Sequence, residues 1–415
     1  MITPMPMNAV PPAVRDRLIS AATELIASRG SRSVTARTLA ELSGQSASAV
    51  NYHFGNREGL LAATFDAAAS DMAAWRAGWW ISLRAAPPPE AFPGWFLAIT
   101  LDRLAPRPMF LVLRELRHHA ARTPTFRTQA RLEAEAADQF WTEALVRFGL
   151  PAAAAGACAD FTESILGIHG GGPDYPDQIA WLSETTRRFC ARLAGDRGAA
   201  PGWDGWRQFA RSRGGPSLVR EGAHPSAIRI ATAAAELLGR EGMEALTHRA
   251  VAAEVGLSLA AVSGYFPSKA SLVRAAFDRL ITTIQTVRSE IVPEPEDPQP
   301  ILQVAAASAQ TLFDAKGTAA PWLLAFDEML TAAIRDPDLR RDAEDLRASR
   351  GENSSSLLAR VQHGTDSVDG LDGHILSIVT TGAMRSAYVH ELDDRRPWLT
   401  RRVATSLECL YGKGA

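Results

Sequence analysis

The sequence contains one long internal repeat, and this repeat limits the possible folds more than any other feature. Residues 21–66 align without a gap on residues 233–278, so that each residue pairs with the one 212 positions later. The identical pairs include Gly30 and Gly242, Thr35 and Thr247, Arg37 and Arg249, Gly44 and Gly256, Ser46 and Ser258, and Phe54 and Phe266. Farther along, Glu115 pairs with Glu328 and Pro124 with Pro337 at an offset of 213. A period of about half the 415-residue chain is far longer than a solenoid repeat. The repeat therefore predicts two complete copies of one domain, joined in a chain that replaces an assembly of two subunits.

Composition agrees with two or three ordinary globular domains. Of the 415 residues, 46% are apolar and 22% are charged, and the formal net charge is −2. The N-terminal residues do not resemble a secretory leader, and no apolar run is long enough to span a bilayer, so we expect a cytoplasmic protein. Cys158, Cys190 and Cys409 show no CxxC spacing and are expected to be reduced, buried thiols. Because the net charge is close to zero, nucleic-acid binding has to be argued from local charge.

The apolar pattern is helical in both copies. Leu18, Ala22, Leu25 and Ile26 recur at helical spacing and form a one-sided stripe, which the second copy repeats. A glycine then ends each of these helices. We find no convincing β pattern, so the sequence predicts an all-α fold.

Each stripe is followed by the signals of a helix-turn-helix. Short second helices are predicted over 36–43 and 248–255, and a glycine supplies the turn after each. The third helices should end near Phe54 and Phe266, and the long fourth helix of the first copy near Arg84. The predicted N-caps are Thr35 and Thr247 for the second helix, Ser46 and Ser258 for the third, and Asn56 and Ser268 for the fourth.

These two segments resemble a known family. The stretches TARTLAELSGQSASAVNYHFGNREGLLAATF and THRAVAAEVGLSLAAVSGYFPSKASLVRAAF are both similar to the DNA-binding segment of TetR-type (TetR/AcrR-like) transcriptional regulators. The resemblance implies that each copy has a helix-turn-helix domain followed by a helical domain that dimerises and binds a small effector. It also implies a bacterial protein that associates with the nucleoid when it is bound to DNA. Two such units in tandem would form an intrachain pseudo-dimer.

The resemblance divides the chain into five parts. These are a first helix-turn-helix DNA-binding domain (12–66), a first helical regulatory domain (67–195), a linker (196–224), a second helix-turn-helix domain (225–278) and a second helical regulatory domain (279–412). It implies a sequence-specific regulator that binds a double-stranded DNA operator, with a repressor released by a small molecule as the favoured function. We expect a monomeric pseudo-dimer rather than a dimer of chains.

The first motif has side chains suited to DNA. Asn51 can read a base edge, whereas Tyr52 and His53 can reach phosphates. His53 would equally fit a packed position in the small core. Between Val14 and Phe65, six arginines face four acidic residues. The predicted DNA-binding residues of this copy are Thr35, Arg37, Ser46, Ala47, Ser48, Asn51, Tyr52, His53 and Arg57.

The second motif is less polar. Between His224 and Asp278, five basic residues balance five acidic ones. Two interpretations stay open: this copy reads a different half-site, or it serves as a scaffold that no longer reads DNA. The predicted DNA-binding residues of this copy are Thr247, Arg249, Ser258, Leu259, Ala260, Ser263, Gly264, Tyr265 and Lys269.

The linker between the copies is basic. Between Arg197 and Glu221, five arginines face two acidic residues. Such a segment can lie in the minor groove beside a helix-turn-helix. Alternatively, it is a solvated linker whose aromatic side chains, Trp203, Trp206 and Phe209, dock on a domain.

The helical halves carry the regulatory hypothesis. A small apolar or aromatic effector is predicted to bind the first copy among aromatic side chains, although such a stripe is also typical of a core. These candidates are Trp75, Trp79, Phe96, Phe110, Trp141 and Phe161. The last two helices of each copy are predicted to form a four-helix interface, with bounds near 151–168 and 177–193 in the first copy and 370–390 and 395–410 in the second.

Other function classes find little support in the sequence. No HExxH, GxSxG, GxGxxG or P-loop motif occurs, so we predict neither an enzyme nor a cofactor or metal site. His118 and His119 are interpreted as a local surface pair. The rival to a regulator is a ligand-binding or protein-interaction module in which one or both helix-turn-helix copies have lost DNA binding.

Overall fold

The computed structural model describes about four fifths of the chain. The described residues are 13–83, 87–105, 107–170, 176–196, 198, 224–291, 300–336, 339–340, 350–361 and 368–412. The predicted linker lies outside these ranges except for residues 196, 198 and 224, and Pro337 also lies outside them. Within the described ranges, regular structure is helical, apart from isolated bridge residues such as the pair Phe313 and Ala319. The predicted all-α tandem fold is confirmed.

The first copy contributes a series of helices interrupted by short 3-10 turns. They are α1 (Val14–Arg29), α2 (Ala36–Ser43), α3 (Ala47–Phe54), α4 (Arg57–Ser82), α5 (Phe92–Arg103), α6 (Pro108–Arg122), α7 (Arg127–Arg147), α8 (Ala155–His169) and α9 (Pro176–Leu193). The second helix has the predicted bounds, and α4 ends two residues before the predicted Arg84.

The second copy repeats this order. Its described helices are α10 (Pro225–Glu241), α11 (His248–Val255), α12 (Leu259–Tyr265), α13 (Lys269–Ile291), α14 (Ile301–Leu312), α15 (Pro321–Arg335), α16 (Glu352–Leu358), α17 (Gly370–Ala387) and α18 (Leu392–Tyr411). In both copies the second helix has the predicted bounds, and the third helix ends at or next to the predicted phenylalanine. No helix in the described ranges is long and apolar enough to cross a membrane.

The contacts divide the chain into two compact units. The first extends to Ala77 and includes Arg107–Leu116, whereas the second holds Gly78–Pro106 and the residues from Arg117 onward. In the first unit, the buried face of α1 forms the centre of the core, with Leu18, Ala22 and Ile26 almost fully inaccessible. The sequence stripe therefore marks the core of this unit.

Within the second unit, α8 and α9 of the first copy pack on α17 and α18 of the second, and we call this contact the inter-copy interface. The backbones approach very closely: a Cβ atom on Gly382 of α17 would lie 1.9 Å from the carbonyl oxygen of Asp160 on α8. Only glycine permits such an approach without a shift of the helices. The predicted four-helix interface thus forms within one chain.

Two ion pairs cross the inter-copy interface in related positions. Arg192 of α9 donates to Asp372 of α17 through Nε at 2.8 Å and through Nη2 at 2.6 Å. Arg402 of α18 donates to Asp160 of α8 through Nε at 2.7 Å. Both aspartates are fully buried, and they are 212 residues apart, which is within one residue of the repeat offset of 213 in this part of the chain. The pairs therefore follow the approximate two-fold relation expected where a dimer interface is reproduced inside one chain.

Candidate nucleic-acid interface

The first copy forms a helix-turn-helix from α2 and α3. Thr35 caps α2, because its Oγ1 accepts a hydrogen bond from the backbone N–H of Thr38 at 3.2 Å. Gly44 takes the left-handed conformation, with φ of 66°, that the tight turn requires. Leu39 and Val50 are buried and join the two helices to the core. The local sequence therefore specifies how α3 is presented.

The outer face of α3 is polar and open to solvent. Ser46, Ser48 and Asn51 are exposed, and the Tyr52 side chain is 85% exposed. The predicted capping hydrogen bond of Ser46 is wrong: its hydroxyl lies 2.9 Å from that of Ser48, and the side chain does not cap α3. Both hydroxyls therefore lie together at the start of the helix, where they are accessible to a ligand.

The remaining predicted residues of this copy differ in what their side chains contact. Ala47 is the first residue of α3, and half-buried His53 makes an edge-on contact with Tyr52 at 4.9 Å between ring centroids. Arg37 is 87% exposed and pairs with Glu41 at 2.8 Å, an interaction that solvent weakens.

Arg57 is held by the backbone of its own unit. Its Nε donates to the carbonyl oxygen of Val34 at 2.9 Å, and its Nη2 donates to that of Ser31. These carbonyls belong to the segment between α1 and α2, so Arg57 stabilises the position of α2. The sequence did not reveal this role because the partners are more than 20 residues away.

The second copy forms the same scaffold, and more of its polar side chains make hydrogen bonds within the protein. Thr247 accepts from the N–H of Ala250 at 3.2 Å, and Ser258 accepts from that of Ala261 at 3.1 Å, so both predicted caps form. Gly256 is left-handed, with φ of 64°. The turn between the second and third helices therefore has the same conformation in both copies.

The surface of α12 is less polar than that of α3. Leu259 is 52% exposed, Ala260 and Gly264 are exposed, and Ser263 is half-buried. The hydroxyl of Tyr265 lies 2.9 Å from Nδ1 of His224, a contact that the sequence did not predict. In the repeat alignment Leu259 replaces Ala47 and Gly264 replaces Tyr52, so the two surfaces differ most at these positions.

Two cations remain at the edge of the second motif. Arg249 near the start of α11 and Lys269 at the start of α13 are both exposed. His248, which the sequence predicts to be exposed, is instead half-buried: its Nε2 lies 2.6 Å from the carbonyl oxygen of Phe266 and thus connects α11 to the end of α12. The second motif therefore combines a hydrogen-bonded scaffold with two accessible positive charges.

The predicted effector residues fall in both compact units. In the first unit, Trp75 and Phe110 meet edge to face with ring centroids 5.5 Å apart. In the second unit, the Phe96 ring lies 4.9 Å from Trp141 and 5.5 Å from Phe161. These last three side chains are at most 3% exposed. Their mutual packing is that of a core.

Half-buried tryptophans lie at the edge of this aromatic core. Trp95 contacts the predicted Trp79 at 6.1 Å and stacks on Trp80 at 6.2 Å between ring centroids. The guanidinium of Arg147 lies 4.5 Å above the ring of Trp80. The helical stripe used to select Trp75 and Trp79 omitted Trp80, although it directly follows Trp79. These partly accessible rings are better placed for a ligand than the fully buried ones.

The prediction that His118 lies on the surface is wrong. Its side chain is 3% exposed, and Nε2 lies 2.6 Å from Oδ2 of Asp327 in the second copy. Fully buried Arg385 donates to the other oxygen of Asp327. Burial acts to lower the pKa of Arg385, but Asp327 and Glu163 more than offset this effect and hold the pKa above its ordinary value. The second copy covers this face of α6, which the local sequence could not indicate.

No metal-binding cluster accompanies this network. Within the described ranges, no group of three or more histidine, cysteine or acidic side chains is arranged to hold a metal ion. Cys158 and Cys190 are free and buried, as predicted, whereas free Cys409 is only partly buried.

Comparison with known proteins agrees with the two helix-turn-helix scaffolds. Residues 18–64 and 230–276 each match the family model described as "Bacterial regulatory proteins, tetR family". The chain therefore carries two TetR-type helix-turn-helix domains in tandem, which is consistent with two tandem TetR-type units, and the predicted resemblance is confirmed. These domains bind DNA in transcription regulators, which are generally non-enzymatic. No curated protein matches the chain.

Proposed function

We propose that the chain is a sequence-specific transcription regulator, acting as a repressor that a small molecule releases from its operator. The observation that carries this proposal is that the two helix-turn-helix motifs have the same backbone arrangement but differ in the exposed side chains of α3 and α12. The exposed serines, Asn51 and Tyr52 of α3 suit base and phosphate contacts, whereas Leu259 of α12 suits an apolar contact such as a thymine methyl group. The DNA-binding residues predicted from the sequence form part of this proposal.

The proposed operator is asymmetric. A homodimer presents two identical motifs and therefore favours a palindromic site. In this chain the inter-copy interface is formed within one molecule, so the two motifs were free to diverge. We propose that one chain acts as a monomeric pseudo-dimer, with the five domains bounded as the sequence predicts.

Footprinting and light scattering test this proposal together. Genomic fragments selected by gel shift should be protected over two unlike half-sites, and the protein alone should have the mass of one chain at low micromolar concentration. A perfectly palindromic footprint would contradict divergent motifs, and twice the chain mass would contradict the monomer. Failure to bind any genomic fragment would favour the rival interaction module.

One effector site per chain is proposed in the first copy. A small aromatic or apolar molecule would contact the partly accessible rings of Trp79, Trp80 and Trp95 and would favour the conformation with lower DNA affinity. Screening a panel of one- and two-ring aromatic compounds by tryptophan fluorescence should find a ligand, and calorimetry should give one site per chain.

Matched variants sharpen the effector test. Trp79→Ala should weaken binding of that ligand, whereas Val146→Ala should not, because Val146 is 61% exposed on α7. Two equivalent sites per chain, or equal effects of both substitutions, would contradict a single site in the first copy.

A further inference from the structure

The end of α6 in the first copy contacts the helix that precedes the second helix-turn-helix. Arg122, the last residue of α6, places Nη1 2.7 Å from Oε1 of Glu328 on α15. Its Nη2 donates to the carbonyl oxygen of Gly239 at 3.3 Å. Gly239 lies in the last turn of α10, the helix that supports the second motif. One guanidinium of the first copy therefore binds both α15 and α10 of the second.

The chain bends directly above this contact. Gly242 ends α10 with φ of 87°, and a Cβ atom there would lie 3.2 Å from Oε1 of Glu328. The matching glutamate of the first copy, Glu115, accepts a hydrogen bond from Ser31 at 3.1 Å at the matching bend. A glutamate below the bend is thus common to both copies. At the second motif, the glutamate is itself held by an arginine of the other copy.

The contact is anchored in a buried polar network. Arg122 is 22% exposed and Glu328 11%, so solvent screens their attraction less than that of a surface pair. One turn before Arg122 on α6, His118 lies 2.6 Å from Asp327 and 3.5 Å from Glu328. Because these buried groups pair with each other, a shift of α6 also shifts Arg122 and its partners.

We infer that Arg122 is a positioning residue that acts across the copies: it sets the placement of the second helix-turn-helix, so that a shift of α6 in the first copy changes DNA reading by the second. This inference rests on the proposed DNA-binding function. It links a signal received by the first copy to the second motif.

The test compares Arg122→Met, Arg122→Lys and the control Arg187→Met in the full-length protein. Methionine keeps much of the length but removes the charge and both donors, whereas lysine keeps the charge. Arg187 lies on α9, away in sequence from both motifs, and forms an exposed pair with Glu184. For Arg122→Met we expect amide hydrogen exchange in α10–α12 to accelerate about tenfold, with α1–α3 unchanged. Footprint protection should weaken over one half-site only, and lysine should restore part of it.

Several outcomes would overturn the inference. Equal acceleration in both motifs would indicate general destabilisation, and no acceleration in α10–α12 would indicate that Arg122 does not position them. Uniform weakening over both half-sites would likewise contradict it. The double variant Arg249→Ala/Lys269→Ala separates the two proposals. If the double variant binds DNA as the unsubstituted protein does, the proposal that the second motif contacts DNA is wrong. The hydrogen-exchange data still decide whether Arg122 positions the second motif.

Discussion

Replacing Asp372 with alanine should destabilise the protein by about 3–5 kcal/mol, because it leaves a buried arginine without its counter-charge. The Arg192 and Asp372 side chains are both inaccessible and share two hydrogen bonds, at 2.6 Å and 2.8 Å. The pair joins α9 of the first copy to α17 of the second. Its loss should therefore weaken the inter-copy interface itself, and urea unfolding should show a large drop in the transition midpoint.

An exposed ion pair of the same chain supplies the control. Glu184→Ala removes the partner of Arg187, whose side chain is 60% exposed, and should cost less than about 1 kcal/mol. Similar midpoint shifts for Asp372→Ala and Glu184→Ala would show that the buried pair does not stabilise the interface. The comparison separates burial from simple charge removal, because both substitutions delete one acidic side chain.

Replacing Asn51 with alanine should reduce discrimination at one base pair by about 1–3 kcal/mol. Asn51 is exposed on α3, and its backbone oxygen accepts the N–H of Gly55 at 3.0 Å, a hydrogen bond that does not involve the side chain. We therefore expect folding to be almost unaffected, because surface substitutions usually change stability by about 0.5 kcal/mol or less. The measurement is a set of binding titrations with every single-base variant of the operator.

Phosphate contacts should respond differently. Arg37→Ala should weaken binding to all operator variants alike and reduce the slope of log affinity against log salt concentration by about one unit. Arg57→Ala is a poorer test, because Arg57 holds the carbonyl oxygens of Ser31 and Val34 and its loss also disturbs the scaffold. Unchanged base preferences for Asn51→Ala, with unchanged affinity for Arg37→Ala, would show that the first motif does not read the operator.

Local signals were sufficient to predict the helix-turn-helix scaffolds. The bounds of α2 and α11 follow from a threonine cap at one end and a left-handed glycine at the other, all within ten residues. Such interactions depend on neighbours in the chain and are therefore readable from the sequence. The predicted cap of α3 by Ser46 was wrong, although serine is a common N-cap residue, because its hydroxyl contacts the hydroxyl of Ser48 instead.

The sequence by itself determined that this protein has two all-α copies with a helix-turn-helix in each, because the repeat, the apolar periodicity and the caps are properties of nearby residues. Only the tertiary structure decided that His118 is buried against Asp327, 209 residues away, and that Arg122 contacts α10, the helix that supports the second motif. It also decided that the hydroxyl of Tyr265 lies within hydrogen-bonding distance of His224. A side chain's burial and its partner depend on which distant helix covers it, and no local pattern encodes that choice.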